Sequence, residues 1–253
     1  MGNARRELEV RLDEIIAASH FMDRAYRLRP RIGQAINWNA PAHELELLRM
    51  FMVDDTSRAA EILGALHVRS IAAFERFIRK LCSEIVDAKA QAASDSGNLP
   101  TDFKFRHMIL SARLLSSLDH PKDYISFNPQ IVVERMARCE RDSLPYELNA
   151  VSFSSSMQSP TVESIEKLLA TVGLPAVFET LGRSTSLQTI LSTRGTRATS
   201  SRVQERLAEV VRWRNNLAHG GDDERTITVE ELDAVVALLR TLGMEIDLAA
   251  QEI

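Results

Sequence analysis

The sequence predicts an all-α fold, and three observations carry that expectation. Apolar residues recur at helical spacing along most of the 253 residues. Only ten glycines and eight prolines interrupt them. No stretch alternates apolar and polar residues well enough to build a sheet, and no internal repeat is visible.

The elements follow in order. From Asn3 to Leu28 the residues Leu8, Leu12, Ile15, Ile16 and Met22 form one helical stripe, expected to stop before Pro30. Pro41 opens a short helix through Met52, and a long helix runs from Thr56 to Ala92, closed by Ser94–Pro100. Helices are expected at Asp102–Leu118 and Asn128–Arg141. Pro145–Ser159, with Val151, Phe153 and many serines, reads as a loop or a short strand. Ser159-Pro160 reads as the N-cap and first turn of a helix to Thr171, and a short helix is expected over Pro175–Leu181.

Residues 184–201 contain ten Ser or Thr in eighteen positions, with Arg194 and Arg197 among them. That composition reads as a mobile loop, and in its sharper form as an Arg-bearing flap over a phosphate-containing substrate. Ser201 and Gln204 then read as a capping box opening a helix to His219, before Gly220-Gly221. Thr228 and Glu231 read as a second capping box. The helix they open runs to Ala250 with Leu232, Val235, Val236, Leu239 and Leu242 on one face.

Composition excludes several classes. Hydrophobic residues make up 45% and charged ones 26%, which suits a soluble globular chain and not disorder, collagen or a coiled-coil fibre. The net charge of −4 argues against a broad basic face for nucleic acid, so any such contact would have to be local. Arginine outnumbers lysine 26 to 5, which favours bidentate contacts with carboxylate or phosphate. Cys82 and Cys139 are too few for a disulfide framework and read as buried free thiols. The first twelve residues carry no leader-like apolar segment, and no run reaches the roughly 18 apolar residues of a membrane span. A cytoplasmic protein with no membrane partner is expected.

Phosphate-loop, dinucleotide-binding, zinc-protease, nucleophile-elbow and CxxC motifs are absent. His20, His43, His67, His107, His120 and His219 stand at no metal-ligand spacing, so neither a metal nor another cofactor is expected. The first five read as surface or satisfied core residues.

His219 is different because of Arg214. At about 100° per residue, Val203, Leu207, Val210, Arg214 and Leu217 fall within about 40° of one line. Arg214 thus belongs to an apolar stripe, where a guanidinium needs an anion: a carboxylate or a substrate phosphate. His219 follows at the helix end, where the ring is accessible and the helix dipole favours imidazolium. Three Arg–His pairs have four to six intervening residues: Arg214–His219, Arg212–His219 and Arg113–His120. Only Arg214 also has a polar following residue, a helix-end position and trailing glycines. Arg plus His suffices for RNA cleavage without metal. The ribose 2′-OH attacks the adjacent phosphorus, histidine moves a proton, and arginine steadies the phosphoryl oxygens.

The segment RNNLAHG, the capped helix after it and the upstream HVRSIAAFERFIRKL helix together resemble the HEPN superfamily, with its R-x4–6-H motif. They are most similar to its RiboL-PSP-type branch. The resemblance covers Val203–Leu242 and, more loosely, Ala59–Ile85. It implies a HEPN-like helical bundle, here with an N-terminal helical extension over 1–55 and an insertion at about 98–200 within a 56–253 domain.

The resemblance also implies a metal-independent endoribonuclease that leaves 2′,3′-cyclic phosphate ends and serves as a toxin or antiviral-defence effector. Two copies would form a homodimer whose motifs share one cleft, and an antitoxin or defence-system protein would be a partner. Arg214 would steady the phosphate, His219 would transfer protons and Asn215 would position one of them. Glu75, flanked by apolar Ile71, Phe74, Ile78 and Cys82, would be a partly buried carboxylate paired with Arg214. Some members are silenced by nucleotide transfer to a Tyr two residues after the motif His, but Gly221 stands there. The competing expectation is a non-catalytic HEPN-like interaction or sensor module.

Overall fold

The computed structural model describes residues 2–35, 56–119, 127–155, 157, 159–219 and 226–252. The described residues are helical with no strand, as the periodicity predicts. The helices are α1 (Asn3–Ala35), α2 (Thr56–Ser96), α3 (Thr101–Ser116), α4 (Pro129–Glu140), α5 (Ala150–Ser154), α6 (Val162–Thr171), α7 (Val177–Leu181), α8 (Thr185–Ile190), α9 (Thr196–His219) and α10 (Val229–Ala250). A 3-10 turn, Ser117–Asp119, extends α3.

The spine is α2, whose 41 residues span about 60 Å at 1.5 Å per residue. Leu63, Leu66, Phe74, Phe77, Ile78 and Leu81 put one wide apolar face of it into the core. Three helices pack along this face: α1 through Ala4, Leu8, Leu12 and Ile15, α10 through Leu232–Ile246, and α9 through Val203, Leu207, Val210 and Val211. All belong to one continuous core, which also takes in α5, α6 and α7. α1 and α10 touch closely because Gly243 has no side chain. A Cβ there would collide with Leu8 Cδ2.

A polar knot buried between α3, α4 and α5 organises the middle of the chain. The Asn149 N–H donates to His107 Nε2 (3.0 Å), while its side-chain amide donates to Ser111 Oγ (2.9 Å) and the Val132 carbonyl (3.1 Å). Since Nε2 accepts, the neutral ring carries its proton on Nδ1, which is buried without a partner. Burial drives His107 down to about 4.

The structure corrects several boundaries. α1 does not stop before Pro30 but continues through it to Ala35, forgoing the one helix bond that a proline cannot donate. The stretch read as loop or strand contains α5, whose Ser152, Ser154 and Ser155 hydroxyls donate to carbonyls three residues back. α6 is capped by Thr161, which accepts from the Ser164 N–H (3.2 Å), and not by Ser159. The expected helix from Pro41 to Met52 lies outside the described residues.

The largest correction concerns residues 184–201. They are not a mobile loop: Ser184 caps α8, and α9 begins at Thr196, five residues before the expected Ser201 box. Threonine hydroxyls bond locally, Thr199 to the Gly195 carbonyl (3.0 Å) and Thr193 with Thr199 (2.8 Å). Arg197 lies 17 residues before Arg214 on the same helix, about 26 Å away. The flap reading therefore fails for the Arg214 end of α9. The Thr228–Glu231 capping box on α10 is present as expected.

Candidate active site

α9 brings Arg214 to the end of the bundle. Its stripe is buried at Val203, Leu207 and Val210, then leaves the core: Arg214 is half-buried and Leu217 is 36% exposed. Arg214 Nη1 donates to the Asn215 side-chain carbonyl (2.9 Å), while its Nε is buried and has no hydrogen-bond partner. Among the described residues Arg214 makes no ion pair, nor does the exposed Arg212. Earlier on the same helix Arg202 and Arg206 are each neutralised, by Glu205 (3.1 Å) and Glu209 (2.5 Å). Arg212 and Arg214, near the C-terminal end of α9, thus lack among the described residues the carboxylates that meet Arg202 and Arg206.

The opposite wall is the first half of α2. His67, fully buried, donates from Nε2 to the Val210 carbonyl (3.3 Å), and its ring lies 5.0 Å from that of Trp213 at 51°. In an α-helix the Val210 carbonyl is also the i−4 acceptor of the Arg214 N–H, so His67 braces the turn that presents Arg214. Burial lowers the His67 pKa, against the opposing pull of the Val210 bond, and keeps the ring neutral. Gly64 lies against Leu217: a Cβ there would stand 3.4 Å from Leu217 Cδ2, in ordinary contact.

These contacts fix an antiparallel register, with Gly64 beside Leu217 and His67 beside Val210. Arg214 therefore lies level with residues 64–67 of α2. Glu75 is at least eight residues further along, about 12 Å away. Consequently it does not pair with Arg214. Its carboxylate binds Arg79 one turn on (2.8 Å), and Arg79 also donates to the Ser154 and Met157 carbonyls. Glu75 joins α2 to α5 instead of completing the Arg214 site.

Of the four site residues expected from sequence, Arg214 and Asn215 are joined side chain to side chain and Glu75 stands apart. His219 is the last residue of α9, and its side chain, with residues 220–225, lies outside the described part. His67 and Trp213 were missed as neighbours of Arg214. The signal was the α2 stripe Leu63, His67, Ser70, Phe74, which puts a histidine on the helix face that meets other helices.

Of the other histidines, the described ones fall one on the surface and one in the core. Exposed His20 meets Asp233 (3.0 Å), His107 is in the buried knot, and His43 and His120 are outside the described residues. Cys82 and Cys139 are buried free thiols. Among the described residues no three His, Cys, Asp or Glu side chains converge as metal ligands, and no helix is long and apolar enough to cross a membrane.

Chemically, the described site offers a guanidinium aimed by an amide and not consumed by a carboxylate. Such a group can donate to two oxygens of a phosphoryl group. In comparison with known proteins, a family model described as RiboL-PSP-HEPN matches residues 41–251. No curated protein and no solved structure matches the chain.

Proposed function

We propose that this chain, which belongs to the RiboL-PSP-HEPN family, is a metal-independent endoribonuclease. The observation that carries the reading is Arg214: a half-buried guanidinium, oriented by Asn215, with no carboxylate partner among the described residues. A guanidinium kept only for folding would be expected to meet an acid, as Arg79 meets Glu75.

The 2′-oxygen of a ribose attacks the adjacent phosphorus, the bond to the 5′-oxygen of the next nucleotide breaks, and a 2′,3′-cyclic phosphate remains. His219 removes the 2′-OH proton or donates one to the departing 5′-oxygen, and Arg214 offsets charge on the phosphoryl oxygens. Asn215 holds the guanidinium in place. Two copies in a homodimer would supply two Arg214–His219 motifs to one cleft, one histidine acting as base and the other as acid. As a cytoplasmic toxin or antiviral-defence effector, such an enzyme would be restrained by a partner protein. The segment 98–200 would then be a lid or a docking surface for that partner.

The test is cleavage of RNA by the purified chain in excess EDTA, with the end groups identified. Arg214→Ala and His219→Ala should each reduce the rate by about a hundredfold or more and leave the fold intact. Full activity in either variant removes the reading. Absence of cleavage by the parent chain makes a non-catalytic interaction or sensor module the better account.

A further inference from the structure

A second basic feature lies on the other side of α2. Arg69 is two residues from His67, about 200° around the helix, and so faces away from α9. Ala72, Ala73 and Arg76 share its face. With Arg11, Glu14 and Ile15 of α1 they line a cavity of about 190 Å³. The floor is small and apolar and the rim is cationic.

The charges do not balance. Glu7 alone serves three cations: Lys80 (2.9 Å), Arg11 (3.2 Å) and Arg76 (3.7 Å). Arg69 is exposed and has no ion pair among the described residues. Among the described residues, with Glu14 included, two carboxylates face four cations, in a chain whose total charge is −4. Like charges crowded round a cavity are relieved by an anion from outside, and arginine forks match phosphate oxygens.

Size and layout narrow the ligand. The cavity is smaller than the roughly 300 Å³ at which drug-sized pockets begin, so it suits one phosphate group and not a whole nucleotide. Arg69, Arg76 and Lys80 form a ladder along about 16 Å of α2, which suits successive phosphates of a strand. We propose that the α1–α2 groove around Arg11, Arg69 and Arg76 is a phosphate-binding site that grips the backbone of single-stranded RNA, away from Arg214. The choice of RNA rests on the ribonuclease reading; the phosphate chemistry does not.

The experiment measures anisotropy of a labelled short oligouridine against the full-length chain. Arg214→Ala is the background, so that binding is read without cleavage. Adding Arg69→Ala and Arg76→Ala should weaken binding at low salt at least tenfold. It should also flatten the slope of log K against log salt by about 1.4, two contacts at about 0.7 each. Arg69→Glu alone should weaken binding too, and both sets should melt within a few degrees of the parent because these side chains are exposed.

If RNA binding is unchanged, inorganic phosphate is the second probe. A rise in melting temperature that Arg69→Ala abolishes keeps the site and assigns it to free phosphate. Unchanged RNA affinity, salt slope and phosphate response in the variants overturn the proposal. Failure of the ribonuclease reading shows separately, as absence of cleavage by the parent chain while Arg69-dependent binding persists.

Discussion

Replacing Arg214 with alanine separates a catalytic arginine from a structural one by stability alone. The substitution removes one hydrogen bond, to Asn215, from a half-buried group. A buried bond to a charged group contributes about 1.5–3 kcal/mol, and partial exposure lowers that. It also releases Nε, a buried donor with no partner, whose desolvation costs about 1–3 kcal/mol. The two nearly cancel, so the unfolding free energy should change by less than about 1 kcal/mol. In a chain of this size that is a shift of roughly 2–4 °C.

Arg79→Ala is the internal standard. It strands Glu75, only 17% exposed, and leaves the Ser154 and Met157 carbonyls without that donor. Its expected cost is about 3–5 kcal/mol. Urea titrations of both variants against the parent, followed by circular dichroism, measure the difference. If Arg214→Ala falls as far as Arg79→Ala, Arg214 has a structural partner and the reasoning about its free charge is wrong.

The helix contacts and the buried histidine make further predictions. Gly243→Ala should destabilise by about 1–3 kcal/mol because the new methyl meets Leu8, and trimming Leu8 to valine in the same chain should recover part of the loss. Gly64→Ala should be neutral or stabilising by up to about 1 kcal/mol, since its methyl finds ordinary contact with Leu217 and the helix gains propensity; a clear loss in urea would mean that α2 and α9 approach more closely. His107 is held neutral at about 4 against an ordinary 6.5. Below pH 6.5 the unfolded chain binds the extra proton first, so its contribution, about 3 kcal/mol, is complete above pH 6.5 and fades as pH falls toward 4. His107→Gln, which can still accept from the Asn149 N–H, should flatten that acid limb in urea titrations between pH 7 and 4.5, and an unaltered limb would assign it to other groups. Thr228→Ala should cost about 1 kcal/mol through loss of the capping box on α10.

Much of the fold was legible where a period and a cap coincide. On α10, Thr228, Glu231 and the stripe from Leu232 to Leu242 all announce the same helix. It was hidden where serine and threonine satisfy their own backbone. The hydroxyls of Ser152, Thr193 and Thr199 bond locally, so segments that look like polar loops are helix or tight turn. Arg214 and Asn215 were readable because angle and adjacency follow from one helix. The separation of Glu75 from Arg214 was not, because it depends on the register of α2 against α9, which Gly64 and His67 set across a gap of more than 140 residues. Nor did composition disclose the Arg69 groove, whose net positive charge is local within an acidic chain.

The two thiols carry a practical consequence. Cys82 is wholly enclosed and pushed up to about 12, and Cys139 is raised in the same direction. Only thiolate reacts with alkylating reagents, so in the closed bundle neither sulfur is available to them at neutral pH. Each becomes reactive when its surroundings part: Cys82 with the α2 spine, Cys139 with the end of α4. Their labelling rates, followed separately by peptide mass, would therefore clock the opening of two regions of the native chain with no engineered probe.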